Sequence, residues 1–122
     1  MIIGIGTDII EIDRVRQAVE REIFKQKVFT EVEKNYCESR GKQKYASYAA
    51  RFAAKEAFFK ALGTGIFTKL TEVEVQNNSQ GQPEIFLYGK AKEFFSDKKI
   101  EKIFLSLSHS KDFATAVCLL EN

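Results

Sequence analysis

The stretch from Tyr45 to Gly65, YASYAARFAAKEAFFKALGTG, decides how the rest of the chain is read. It contains no proline, is dense in alanine, and ends on Gly63-Thr64-Gly65, a helix stop followed by a turn. The pattern predicts a helix over Lys42 to Leu62, the longest in the molecule. At about 100° per residue, Tyr45, Ala46, Ala49, Phe52, Ala53, Ala57 and Phe59 share one stripe. Glu56 and Lys60 fall inside that stripe, one turn apart. Such a face normally excludes charge, because an unpaired buried ion is costly. The two side chains are therefore either an i, i+4 ion pair at the rim of the core, worth about 0.2–0.5 kcal/mol, or a carboxylate and an ammonium facing a cleft. In the second case the small alanines around Glu56 leave room for a ligand.

Towards the N-terminus, Thr30-Glu31-Val32-Glu33 is a capping-box pattern that starts a shorter helix, ended by Gly41. Glu11 to Phe29 predicts one continuous helix, with Ile12, Val15, Val19, Ile23 and Phe24 along one side. Ile2 to Ile10 is β-branched, punctuated by Gly4 and Gly6, and predicts a first strand. Towards the C-terminus, Leu70 to Gln76 alternates as a strand, Asn77 to Pro83 is a turn cluster, and Glu84 to Tyr88 is its hairpin partner. Gly89 to Lys99 reads as a short amphipathic helix. Ile103 to Ser108 and Phe113 to Leu120 are apolar strands around a polar turn. Helices grouped early and strands grouped late imply an α+β fold, with helices packed on an antiparallel sheet.

At 122 residues, the expectation is one domain spanning 1–122. Nineteen basic against seventeen acidic residues give a net charge of +2, too weak for bulk nucleic-acid binding. No apolar run approaches the roughly 18 residues of a membrane span. The N-terminus lacks a basic n-region and reaches a charge at Asp8, unlike a signal peptide. Cys37 and Cys118 are far apart with no CxxC spacing, which argues against a disulfide scaffold or a zinc site. The expected compartment is the reducing cytoplasm.

Asp8 interrupts an otherwise apolar strand directly after Gly4-Ile5-Gly6-Thr7. It is either a carboxylate at a turn or cap or a metal ligand. The neighbouring glycines would let a phosphate or another chain segment approach the backbone closely. Two converging carboxylates with positions left for water and phosphate oxygens suit Mg²⁺, whereas zinc wants His or Cys, and His109 is the one histidine. His109 sits in a polar turn with Ser108, Ser110 and Lys111, either solvated or helping to hold an anion. Lys42, Lys44 and Arg51 would add positive charge at the same end of the molecule. Arg14, Arg16, Arg21 and Lys25 on the first helix are interspersed with Glu20 and Glu22. They form a mixed solvated face, or a docking surface if the partner presents an acidic helix.

Three motifs then occur in order: Gly4-Ile5-Gly6-Thr7-Asp8-Ile9, Arg51-Phe52-Ala53-Ala54-Lys55-Glu56-Ala57-Phe58-Phe59-Lys60, and Leu107-Ser108-His109-Ser110. With the loop Gly63-Thr64-Gly65-Ile66, they make the chain resemble the small bacterial-type branch of the 4′-phosphopantetheinyl transferases, the holo-[acyl-carrier-protein] synthases. The likeness runs from Met1 to about Glu121. Its central segment is highly specific; the serine-histidine turn is less so. The resemblance implies transfer of phosphopantetheine from coenzyme A to a serine of apo acyl carrier protein, releasing adenosine 3′,5′-bisphosphate, in support of fatty acid biosynthesis. It assigns Mg²⁺ to Asp8 and Glu56, and adds Lys60 as a second positive charge on the pyrophosphate, so Asp8, Glu56 and Lys60 are the implied catalytic set. It places Arg51 and His109 near the 3′-phosphate, with Lys42 and Lys44 as further contributors. Gly63, Thr64, Gly65 and Ile66 would lie along the coenzyme and Pro83 beside the adenine. The carrier's acidic helix would dock on the first helix through Arg14, Arg21 and Lys25. The resemblance also implies the 4′-phosphopantetheinyl transferase fold and a homotrimer with active sites between subunits. The base for the carrier serine is left open between a metal-ordered water and a carboxylate such as Glu56.

Without the resemblance, the residues support a small α+β protein with a possible Mg²⁺–phosphate site. A non-catalytic module binding acidic helices is the alternative class, with Glu56 and Lys60 a structural pair. An RNA-binding domain is poorly supported by a charge of +2.

Overall fold

The computed structural model describes residues 1–122. The elements are β1 (Ile2–Glu11), α1 (Ile12–Val19), α2 (Glu22–Val28), α3 (Glu31–Glu38), α4 (Lys44–Leu62), β2 (Val73–Asn77), β3 (Pro83–Leu87), α5 (Gly89–Asp97), β4 (Lys102–His109) and β5 (Phe113–Glu121). Short 3₁₀ turns precede α4 at Gly41–Gln43 and β2 at Leu70–Glu72. The fold is α+β, but its strands divide into two antiparallel sheets rather than one. One has the order β1-β5-β4; the other is the β2-β3 hairpin.

The expected helix over Glu11 to Phe29 is broken. Arg21 adopts an extended conformation, φ −88° and ψ 115°, between α1 and α2. Continued at about 100° per residue, the stripe of Ile12, Val15 and Val19 would point Ile23 inward and swing Val28 away. The break reverses this: Val28 is buried, Phe24 packs on Phe29 and Phe52, and Ile23 is exposed. Thr30 caps α3 with the reciprocal bonds expected of a capping box.

Helix α4 is a central helix rather than an amphipathic one. It is the shared wall of two apolar clusters, so its buried residues surround its axis. Ala53, Ala57, Phe58 and Phe59 pack with Ala116, Cys118 and Leu120 of β5 and Val73 and Val75 of β2. Tyr48, Ala49 and Ala50 pack with Val15, Val19, Phe29 and Cys37. Burying Phe58 or Phe59 contributes about 1.5–3 kcal/mol each.

Gly4 and Gly6 are what let β1 lie on this helix. A Cβ at Gly4 would collide with the Ala61 carbonyl oxygen, and one at Gly6 with that of Ala57. The chain segment that approaches these glycines is thus α4 itself, through the backbone of Ala57 and Ala61. In the three-stranded sheet, Gly4, Gly6, Asp8 and Ile10 turn towards α4, and Ile5, Thr7 and Ile9 turn outward. No helix covers the outer face. Ile5 and Ile9 are 65% and 64% exposed, and Phe104, Phe113 and Val117 stand beside them on β4 and β5.

Candidate active site

Asp8 and Glu56 come together because strand and helix touch. Asp8 faces α4 from β1, level with Ala116 of β5 and Leu107 of β4. Lys60 Nζ donates to the Thr7 carbonyl oxygen at 3.0 Å and to Asp8 Oδ1 at 3.1 Å. The i, i+4 ion pair is not formed: Lys60 pairs with Asp8 across the helix–strand contact rather than with Glu56. Lys60 also lies at the open rim, with a side chain 53% exposed against 16% for Asp8.

Glu56 is half-buried on the same side. Burial raises its pKa above the ordinary carboxylate value; the Asp8 charge raises it further and Lys60 partly offsets this. Two carboxylates thus share one field with a single ammonium. Lys60 occupies one oxygen of Asp8, and the remaining oxygens have no donor from this chain. Two hard oxygen donors with few other protein ligands fit Mg²⁺, which keeps several waters and takes substrate phosphate oxygens. No cluster of three or more His, Cys, Asp or Glu exists to form an all-protein cage.

Past α4, Gly63 (φ 78°) and Gly65 (φ 68°) adopt the left-handed conformation that glycine tolerates. Gly63 N–H bonds back to the Phe59 and Lys60 carbonyls, so the loop leaves directly above Lys60. Thr64 Oγ1 donates to the Gly65 carbonyl at 2.7 Å, and Ile66 is exposed. Pro83 opens β3 opposite Asn77.

The cationic residues divide between one groove and contacts within the chain. Lys42 and His109 line one groove of about 840 Å³ with Arg16, Tyr45, Ser110 and Lys111. Asp8, Glu56 and Lys60 do not line it. Lys44 instead bonds Glu38 at 2.9 Å, and Lys25 bonds the same carboxylate at 3.0 Å. Tyr48 O–H donates to Glu38 as well, and this set of donors holds its pKa down at about 2. Lys25 and Lys44 thus share one carboxylate within the chain. Arg51 is turned inward and 3% exposed. Its Nη2 donates to Asn77 Oδ1, its guanidinium stacks 4.1 Å from the Tyr36 ring centroid, and its Nε is buried without a partner. Arg14 and Arg21 flank a second groove, about 530 Å³, floored by Ile10, Phe24 and Phe52.

Sequence reasoning missed the pair Lys55–Glu33, both wholly buried, and the role of Glu38. A lysine directly before Glu56, on the far side of a helix buried all round, was the available signal for the first.

A model of the family described as the 4′-phosphopantetheinyl transferase superfamily matches residues 4–118. A holo-[acyl-carrier-protein] synthase of Ruminiclostridium cellulolyticum is 49% identical over 120 residues, covering 95% of this chain and 90% of that protein. The crystal structure of the holo-[acyl-carrier-protein] synthase of Neisseria meningitidis superposes with a TM-score of 0.91 at 31% identity, covering 100% of both chains. That of Bacillus anthracis, in complex with coenzyme A (3′,5′-ADP), gives 0.82 at 37% identity over 100% of this chain and 98% of the other. With strand, helix and carboxylates arranged as above and the match running through almost the whole sequence, the chain belongs to the 4′-phosphopantetheinyl transferase superfamily.

Proposed function

We propose that Asp8, Glu56 and Lys60 form the centre at which this chain transfers 4′-phosphopantetheine from coenzyme A to a serine of apo acyl carrier protein, as a holo-[acyl-carrier-protein] synthase. The activity belongs to the family; the residue roles rest on the geometry of the helix–strand contact. The observation that carries them is the meeting of Asp8 on β1 with Glu56 and Lys60 on α4 at a single helix–strand contact, Asp8 and Lys60 being 52 residues apart in sequence.

Asp8 and Glu56 would hold Mg²⁺, which supplies charge neutralisation on the pyrophosphate and on the leaving bisphosphate. Lys60, fixed by Thr7 and Asp8, adds a positive charge from the exposed rim. The serine oxygen forms a bond to the phosphorus carrying the pantetheine arm. The bond from that phosphorus to the bridging oxygen breaks, and adenosine 3′,5′-bisphosphate leaves. The serine proton would pass to a metal-ordered water or to a carboxylate such as Glu56. Gly63 to Ile66 and Pro83 would line the coenzyme, and Arg51 would act from beneath, through Asn77 and the hairpin. Arg14 and Arg21 would receive an acidic carrier helix beside the apolar floor of their groove.

The outer sheet face supports a homotrimer. Exposed isoleucines, a phenylalanine pair and Val117 form an apolar surface that further copies of this chain would bury. It also supports sites between subunits, because the Lys42–His109 groove and the Asp8–Glu56 centre are separate within one chain. We read residues 1–122 as one catalytic domain working in the cytoplasm. No helix is long and apolar enough to cross a membrane.

The test is incubation with coenzyme A, Mg²⁺ and an apo carrier protein, followed by intact mass of the carrier. A gain of one phosphopantetheine group is expected. A carrier that stays unmodified here but is converted by another transferase would reject the assignment. Ile5→Glu with Val117→Glu should give a monomer by light scattering; an unchanged mass would move the interface elsewhere.

A further inference from the structure

Lys55 and Glu33 have no part in the chemistry above, yet both are completely buried. Lys55 Nζ donates to Glu33 Oε1 at 2.8 Å and to the Leu70 carbonyl oxygen at 2.9 Å. Glu33 Oε1 also accepts from Thr30 N–H at 2.9 Å, and Oε2 from Val75 N–H at 2.8 Å. The ammonium lies over the Phe29 ring, 5.6 Å from its centroid. One ion pair thus ties α4 to the cap of α3, to the 3₁₀ turn at Leu70 and to the first part of β2.

Two consequences follow from position. Lys55 immediately precedes Glu56, so anchoring it fixes the rotation of α4 that aims Glu56 at β1. The Leu70 carbonyl is where the chain returns after leaving α4 at Gly63. The segment from Gly63 to Lys69 is therefore held at one end by the helix cap and at the other by Lys55. A buried pair of this kind gives little net stability over an apolar replacement, so stability alone does not account for it.

We propose that Lys55 and Glu33 are positioning residues that clamp the glycine loop, setting affinity for coenzyme A without touching it. This rests on the reading that the loop lines the coenzyme. Neither residue lines the Arg14–Arg21 groove, whereas Lys55 bonds directly to the end of the glycine loop at Leu70, so the clamp bears first on the coenzyme side.

The test compares the wild-type chain with Lys55→Met and with Lys55→Met/Glu33→Gln. The single variant leaves a buried carboxylate without its countercharge and should lose more than about 10 °C in Tm. The neutral double variant should recover part of that loss. Its KM for coenzyme A should rise roughly tenfold, with the carrier's KM unchanged. Partial unfolding alone would lower kcat and leave both KM values in place. Amide exchange should quicken over residues 63–70 in the double variant and stay slow in β5. A double variant with wild-type coenzyme KM and loop exchange would overturn the clamp. If neither variant folds, exchange in the wild type decides: Val75 N–H must exchange as slowly as the β5 core, and exchange at loop rates would overturn it. A wild-type chain inactive on a competent carrier would instead overturn the functional reading, which separates the two failures.

Discussion

Helix α4 carries two lysine–carboxylate pairs of nearly equal length, Lys55–Glu33 at 2.8 Å and Lys60–Asp8 at 3.1 Å. On the first, both side chains are sealed, and both Glu33 oxygens receive hydrogen bonds. On the second, the lysine is half in water and carboxylate oxygens are left without partners from the chain. A saturated ion pair can only hold things in place. An unsaturated one retains the capacity to take a cation and a phosphate. What distinguishes structure from chemistry on this helix is the number of lone pairs still on offer, not the presence of charge.

The largest effect that would break this contrast lies on the sealed side. Glu33→Ala leaves Lys55 charged and unmatched, and should cost about 3–5 kcal/mol by urea denaturation. A loss under 1 kcal/mol would mean that the pair is as replaceable as a surface one. On the open side, Glu56→Gln should lower transfer by roughly 100-fold or more, because an amide is a poor Mg²⁺ ligand, while Tm stays within a few degrees. A wild-type rate at limiting Mg²⁺ would remove Glu56 from the mechanism.

Proton linkage sharpens the same contrast. The Glu56 carboxyl titrates above its usual 4.5, and Mg²⁺ requires the ionised form. Mg²⁺ affinity measured by calorimetry should therefore weaken as pH falls through that raised value, before ordinary carboxylates protonate. Flat affinity down to the ordinary range would show that Glu56 is not a ligand. A smaller effect belongs to the proposed docking groove: Arg14→Glu should raise the carrier's KM about three- to tenfold and reduce its salt dependence. Unaltered carrier kinetics would move docking elsewhere. The smallest concerns Glu38, whose depressed pKa contributes stability that is present above about 4.5 and lost as pH falls towards about 2. Glu38→Gln should flatten Tm against pH across that window, and an unchanged slope would assign the acid sensitivity to other groups.

Most of the fold was legible because period and punctuation act locally. The capping box at Thr30, the stop at Gly63 and the turn before Pro83 each fall at an element boundary. The break at Arg21 was not legible: neither glycine nor proline marks it, and it follows from where Phe24 and Val28 find partners. The centre was half legible. Asp8 and Glu56 stood out as charges on apolar faces, but the choice of Asp8 as the partner of Lys60 is tertiary. The fates of Lys25, Lys44 and Arg51 were hidden for the same reason, since Glu38 and Asn77 claim them from other elements.

Strand and helix touch main chain to main chain at Gly4 and Gly6, so no rotamer intervenes between the backbones that carry Asp8 and Glu56. Their spacing works as a gauge block, set by the van der Waals radii of backbone atoms instead of by how neighbouring side chains happen to settle. Remodelling of the interior at Phe58 or Val73 should be absorbed away from this junction, whereas one added methyl at Gly6 would reset the gap directly.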